Sequence, residues 1–167
     1  MSESGRVTYA GGDDFHVLRY HGRVTYPAAP AIKRFADGLL ASTNVGEWIF
    51  DLSSAECLDS TNLGIVARIA DLAQSRDRAR VRILSSNDDI TRVLRSMRFD
   101  QMFEVVTDLP APTGTSPGSV IGTATGSPDE LGQTMLDAHR MLMTLGEVPR
   151  LQFKEVVAQL EAELAQK

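Results

Sequence analysis

Trp48-Ile49-Phe50 runs into Asp51-Leu52-Ser53-Ser54-Ala55-Glu56-Cys57-Leu58-Asp59-Ser60-Thr61-Asn62-Leu63-Gly64-Ile65-Val66, and the change of pattern along this stretch decides the fold. The apolar triplet reads as a buried strand. A short polar connection is expected after it. Beyond Asp59-Ser60-Thr61, residues Leu63, Ile65, Val66, Ile69 and Leu72 are spaced to line one face of a helix. Strand, connection and helix make a βα unit, with Ser60 at the helix mouth.

A serine in that position has a definite chemistry. As an N-cap it bonds an orphan backbone N–H of the first turn, and the positive end of the helix dipole tolerates added negative charge. A phosphate there brings about −1.5 to −2 charge at pH 7, and Asp59 beside it would repel that charge. Modification would change the field at one surface point and leave the fold intact. The plain alternative is that Ser60 is only a cap.

Asp59-Ser60-Thr61-Asn62-Leu63-Gly64 after an Asp-ending hydrophobic strand resembles the phosphorylation motif of the STAS domain of anti-sigma factor antagonists, Asp-Ser-Ser/Thr-Gly-Leu-Gly. Asn62 stands where that family usually has Gly. The resemblance implies that Ser60 is phosphorylated by an anti-sigma-type serine protein kinase and dephosphorylated by a PP2C-type phosphatase. It also implies a signal-transduction role in transcription regulation, in which the unphosphorylated form binds an anti-sigma factor and phosphorylation changes the partner, with regulation of another signalling enzyme as the alternative. Gly22-Arg23-Val24-Thr25 is similar to a second, weaker STAS segment. The implied partner-binding surface is therefore Asp59, Ser60, Thr61 and Asn62, with Gly22 and Thr25 beside it, and Thr61 as fallback phosphoacceptor.

The 167 residues suit one domain of about 100 to 150 residues plus an appendage. A formal net charge of −5 argues against direct nucleic-acid binding through phosphate contacts. Residues 1–106 hold 13 basic and 14 acidic side chains and residues 107–167 hold 4 and 8, so the last third is the acidic part. Cys57 is the only cysteine, which rules out an intramolecular disulfide and favours a reducing, cytoplasmic location. Its expected role is packing at the strand end. No apolar run approaches about 18 residues, against a membrane span, and the polar start Met1-Ser2-Glu3-Ser4-Gly5 argues against a signal peptide.

Taken in order, Arg6 to Ala10 and Phe15 to Tyr20 flank Gly11-Gly12-Asp13-Asp14 and predict a hairpin, its second strand extended through Thr25. Ile32, Phe35, Ala36, Leu39 and Leu40 recur at helical spacing. After the Trp48 strand and a helix ending near Arg76, Val81-Arg82-Ile83-Leu84 predicts a strand. Asn87 or Asp88 then caps a helix with Ile90, Val93, Leu94 and Met97, and a short strand closes the series near Val105-Val106. The order ββαβαβα(β) is that of an α/β domain with a mixed sheet, as in a STAS-type fold, here expected over residues 1–107. Residues 108–128 turn to Pro, Gly, Ser and Thr and read as a flexible linker. In 129–167 two stripes, Leu131-Met135-Ala138-Leu142-Leu145 and Phe153-Val157-Leu160-Leu164, predict a C-terminal helical extension. A pair this small must dock on the core, on a second copy as a homodimer, or on a partner.

Two enzymatic or chemical readings compete with a binding module. A hydrolase would want Gly-x-Ser-x-Gly, a histidine and an acid, but Ser60 lies between Asp59 and Thr61, and His16, His21 and His139 are scattered packing or surface residues with no metal-ligand spacing. No phosphate-binding loop occurs, so neither a cofactor nor a metal is expected. A receiver phosphorylated on Asp51 would need a lysine late in the sheet, and the lysines are Lys33, Lys154 and Lys167. Arg76, Arg78, Arg80 and Arg82, with Arg92, Arg95 and Arg98, form rows that read first as solvated charge and second as a basic docking face.

Overall fold

Alternating apolar residues open the chain as an antiparallel pair, β1 (Arg6–Gly11) and β2 (Phe15–Val24), closed by Gly12 N–H donating to the Phe15 carbonyl at 3.0 Å. The computed structural model describes residues 4–12, 14–42, 46–77, 79–109, 118–122 and 126–166. Asp13 of the expected turn, Arg78 and most of the proposed linker lie outside the described residues. After a 3-10 turn at Tyr26–Ala28 come α1 (Ala29–Ser42), β3 (Glu47–Leu58), α2 (Ser60–Asp77), β4 (Val81–Leu84), α3 (Asp88–Ser96), the single turn α4 (Phe99–Met102) and β5 (Glu104–Val106). Then follow β6 (Ser119–Val120), α5 (Pro128–Met143) and α6 (Glu147–Ala165).

Among the described residues six strands form one mixed sheet in the order β5-β4-β3-β2-β1-β6. β2, β3, β4 and β5 are parallel, as helical crossovers require, and β1 and β6 add antiparallel. The sheet is the expected mixed α/β arrangement with a C-terminal helical extension. Leu18, Phe50 and Ile83 sit side by side on β2, β3 and β4, all fully buried. They mark the centre of the core.

Two sequence expectations are corrected here. β3 does not stop at Asp51 but runs on to Leu58, so the polar connection is itself strand. β4 pairs with β3 only from Trp48 to Asp51, and beyond that β3 has β2 as its partner on one side only. Ser53, Ser54 and Glu56 are exposed along this half-open run, which is why it looked like loop. Two bulges, between Arg19/His21 and between Gly22/Arg23, fit the extra β3 residues against β2. At the second site Gly22 has φ 67°, a conformation glycine takes without the Cβ penalty. The other correction is β6: Ser119–Val120, inside the stretch read as linker, pairs with Thr8 and Tyr9 at the sheet edge, and Ile121 behind it is 5% exposed.

The cap expected at Asn87 is present, its side chain accepting from Asp89 N–H at 2.9 Å. Three of the seven arginines in these rows are paired among the described residues: Arg80 with Glu104 at 2.8 Å, Arg82 with Glu47, and Arg92 with Asp89 at 3.4 Å.

His16 is a core residue, 2% exposed, 4.7 Å from the Trp48 ring centroid and 2.7 Å from the Tyr9 hydroxyl through Nδ1. Burial holds its pKa below the ordinary 6.5. The unfolded chain therefore takes a proton that the folded one refuses. Stability from this group is complete above about pH 6.5 and is lost as the pH falls toward the folded pKa. Urea midpoints of the native chain are expected to drop between pH 7.5 and 5.5, and to drop less in His16→Gln; equal drops would remove His16 as the cause.

Candidate functional site

Asp59 turns the chain from β3 into α2, and it does the capping. Its backbone N–H donates to the Val24 carbonyl at 3.4 Å, its Oδ1 accepts the Asn62 N–H at 3.0 Å, and its carbonyl accepts the Leu63 N–H at 3.1 Å. The N-cap role expected of Ser60 thus falls to its neighbour, and Ser60 is the first helical residue. Its hydroxyl is not needed to satisfy the helix start.

The Ser60 hydroxyl instead reaches across to α5. Ser60 Oγ lies 2.9 Å from His139 Nε2, and His139 Nδ1 lies 2.6 Å from the Met135 carbonyl. A carbonyl only accepts, so Nδ1 carries the hydrogen; in the neutral ring Nε2 is then the acceptor and the Ser60 hydroxyl donates. His139 is 3% exposed and meets Phe153 of α6 edge-on at 5.4 Å. The expected solvent-facing hydroxyl needs correcting: Ser60 is half-buried beneath α5, and His139, a packing residue, is also its hydrogen-bond partner.

The rest of the expected surface divides. Thr61 and Asn62 are 3% and 1% exposed, so they support the site from beneath and do not form its face. Asn62 Nδ2 donates to Asp59 Oδ1 at 2.9 Å and to the Val24 carbonyl at 3.4 Å, tying α2 to the end of β2. It has ordinary helical backbone, with no positive φ, so the position does not require the glycine of the resembled motif, and the Asn62 Oδ1 is buried without a hydrogen-bond partner among the described residues. Gly22 is buried at the β2–β3 bulge and Thr25 is exposed just past β2. Beside the α2 start a shallow groove is lined by Cys57, Leu58, Leu63, Ile90 and Val93, with Val93 42% exposed. Ile90 and Val93 belong to α3 and could be found only by knowing which helices are neighbours.

Asp51 is occupied elsewhere. It is 5% exposed, accepts from Ser53 Oγ at 2.5 Å and Ser53 N–H at 2.9 Å, and pairs with Arg19 Nε at 2.8 Å. Burial pushes its carboxyl up, but these bonds and the Arg19 charge together hold it below the usual carboxylate range. Among the described residues no three His, Cys, Asp or Glu side chains gather as a metal site, and no helix is long and apolar enough to cross a membrane.

The other correction concerns α2 as a whole. From Thr61 to Ala70 every residue except Arg68 is buried, so the helix is covered on both sides and not along one stripe. The sheet lies on one side; α1 and α5 close the rest. Gly64 permits the α5 crossing: a Cβ built there would lie 2.3 Å from the Ala138 carbonyl oxygen and 2.7 Å from the Ala138 Cβ. Asp37 ties α1 to α2 through Arg68 at 2.7 Å, and Arg34 pairs with Glu130 at the start of α5.

Residues 7–111 match the family model of the STAS domain, and α5 and α6 lie beyond that match. Among solved structures, the crystal structure of an anti-sigma factor antagonist from Mycobacterium paratuberculosis aligns with a TM-score of 0.53 at 21% identity, covering 64% of this chain and 88% of that one. At that identity the likeness is one of fold. No curated protein matches the chain significantly.

Proposed function

The chain belongs to the STAS domain family, and from that premise we propose that it is an anti-sigma factor antagonist that works by partner switching at Ser60. Unphosphorylated, it binds an anti-sigma factor. An anti-sigma-type serine kinase adds phosphate to Ser60, and a PP2C-type phosphatase removes it. In this reading residues 1–107 are the switch, 108–128 the connection and 129–167 an accessory extension. The protein is a cytoplasmic binding module that needs no cofactor and touches no nucleic acid.

One observation carries the proposal: Asp59, not Ser60, satisfies the start of α2, so the Ser60 hydroxyl can be modified without unravelling the helix. The helix dipole favours the phosphate while the Asp59 carboxylate opposes it. The balance changes what a partner meets at that point. A 10- to 100-fold change in affinity takes only about 1.4 to 2.8 kcal/mol, within reach of a desolvated dianion.

The test is peptide-mapped phosphorylation after incubation with ATP and candidate anti-sigma-type kinases, with pull-down of the anti-sigma factor by Ser60→Ala and Ser60→Asp. Phosphate is expected on Ser60, absent in Ser60→Ala, and binding by Ser60→Asp is expected to be weaker by that 10- to 100-fold. Equal binding by the two variants would defeat the reading.

A hydrolase reading gains one observation, the Ser60–His139 pair. Against it, the third group is the Met135 carbonyl, not a carboxylate, and the flanking residues are not those of a nucleophile elbow. Ester turnover lost in Ser60→Ala would restore it.

A further inference from the structure

We propose that α5, backed by α6, is a built-in competitor for access to Ser60, a cover over Ser60 and Gly64 of α2 that a kinase must displace to reach the hydroxyl. The proposal rests on the switch reading for the phosphorylation of Ser60, and on geometry for the cover itself.

Three features of the contact support it. First, α5 lies on the STAS domain from outside: the family match ends at residue 111, whereas α5 begins at Pro128. Second, α5 meets the domain at its most sensitive point, since His139 takes the Ser60 hydroxyl while Ala138 rests against Gly64. A phosphate on Ser60 needs space for three further oxygens around an atom that already has an imidazole nitrogen 2.9 Å away. Phosphorylation and the docked α5 therefore exclude one another. Third, α5 and α6 share a seam of their own: Phe153 and Val157 of α6 are buried, and Arg140 pairs with Glu161 across the two helices at 2.7 Å.

Because linkage is reciprocal, whatever loosens α5 favours phosphorylation, and the phosphate in turn favours the open form. If the docked form outnumbers the open one 100 to 1, access to Ser60 is reduced about 100-fold.

A thiol reporter tests this in the full chain. Cys57→Ser removes the native thiol and Ser60→Cys places one at the site, whose rate of reaction with dithiodipyridine reads access directly. Adding Ala138→Leu, which has no room against Gly64, or Leu142→Asp in the fully buried seam, is expected to strip exchange protection from α5 and raise labelling about 10-fold or more, with the sheet still folded by circular dichroism. Loss of α5 protection without faster labelling would overturn the proposal. So would α5 remaining protected in both variants, or labelling in the parent as fast as in urea. No kinase enters this experiment, so an unphosphorylated Ser60 would end the switch reading and leave the competitor standing, and unchanged labelling would do the reverse.

Discussion

Phe50→Ala is expected to lower the unfolding free energy by about 3 to 5 kcal/mol, the usual cost of removing a large aromatic side chain from a core that relaxes only in part. Phe50 has no exposure, lies between Leu18 and Ile83 in the sheet register, and has the Trp48 ring 6.4 Å away. Urea unfolding followed by Trp48 fluorescence measures the loss. A native-like slope with a lower midpoint is the expected form, and a cost under about 1 kcal/mol would mean that the centre of the sheet is not packed as described. The substitution also weakens the support of β3 under Asp59 and Ser60, so a switching defect in this variant would follow from stability and not from the site.

Gly64→Ala sets two effects against each other. By helix propensity alone, alanine in place of an interior glycine should stabilise α2 by about 1 kcal/mol. The new methyl group, however, would be placed 2.3 Å from a backbone oxygen and 2.7 Å from the Ala138 Cβ, and backbone cannot swing aside as a long side chain can. Overpacking of this kind costs about 1 to 3 kcal/mol. The clash is expected to win: α5 and α6 lose exchange protection, and the chain becomes less stable overall. A rise in Tm with α5 protection intact would show that propensity decides and that the crossing is looser than it stands. The effect is confined to one helix pair, so the strands should keep their protection.

The two variants differ in how far they were legible. Phe50 announces itself, because an apolar triplet followed by a helical stripe has few other readings. The order of strands and helices up to Val106, the Asn87 cap, and the two C-terminal helices with Phe153 and Val157 inward are likewise local matters, written in spacing of two or of three to four residues. The second half of β3 was hidden because half its hydrogen-bonding edge faces no strand, which lets Ser53, Ser54 and Glu56 be polar. β6 is two residues long and carries no period at all.

At the site the division is sharper. Asp59-Ser60 at the start of a helix could be read directly, since the motif is contiguous, although which of the two serves as cap depends on where the turn falls. His139 could not be read, standing 79 residues from Ser60 with nothing between them to set the distance. Nor could the small residues Gly64 and Ala138 be recognised as a pair until the helices were seen to cross.

By itself, then, the order of residues determined the mixed sheet, its helices and the place of Ser60 at the head of α2, because hydrophobic period and turn chemistry act over a few neighbours. Only the tertiary structure decided that this serine is covered, by which helix and through which histidine. Docking depends on the fit of two distant surfaces, and that fit is invisible until the chain has brought them together.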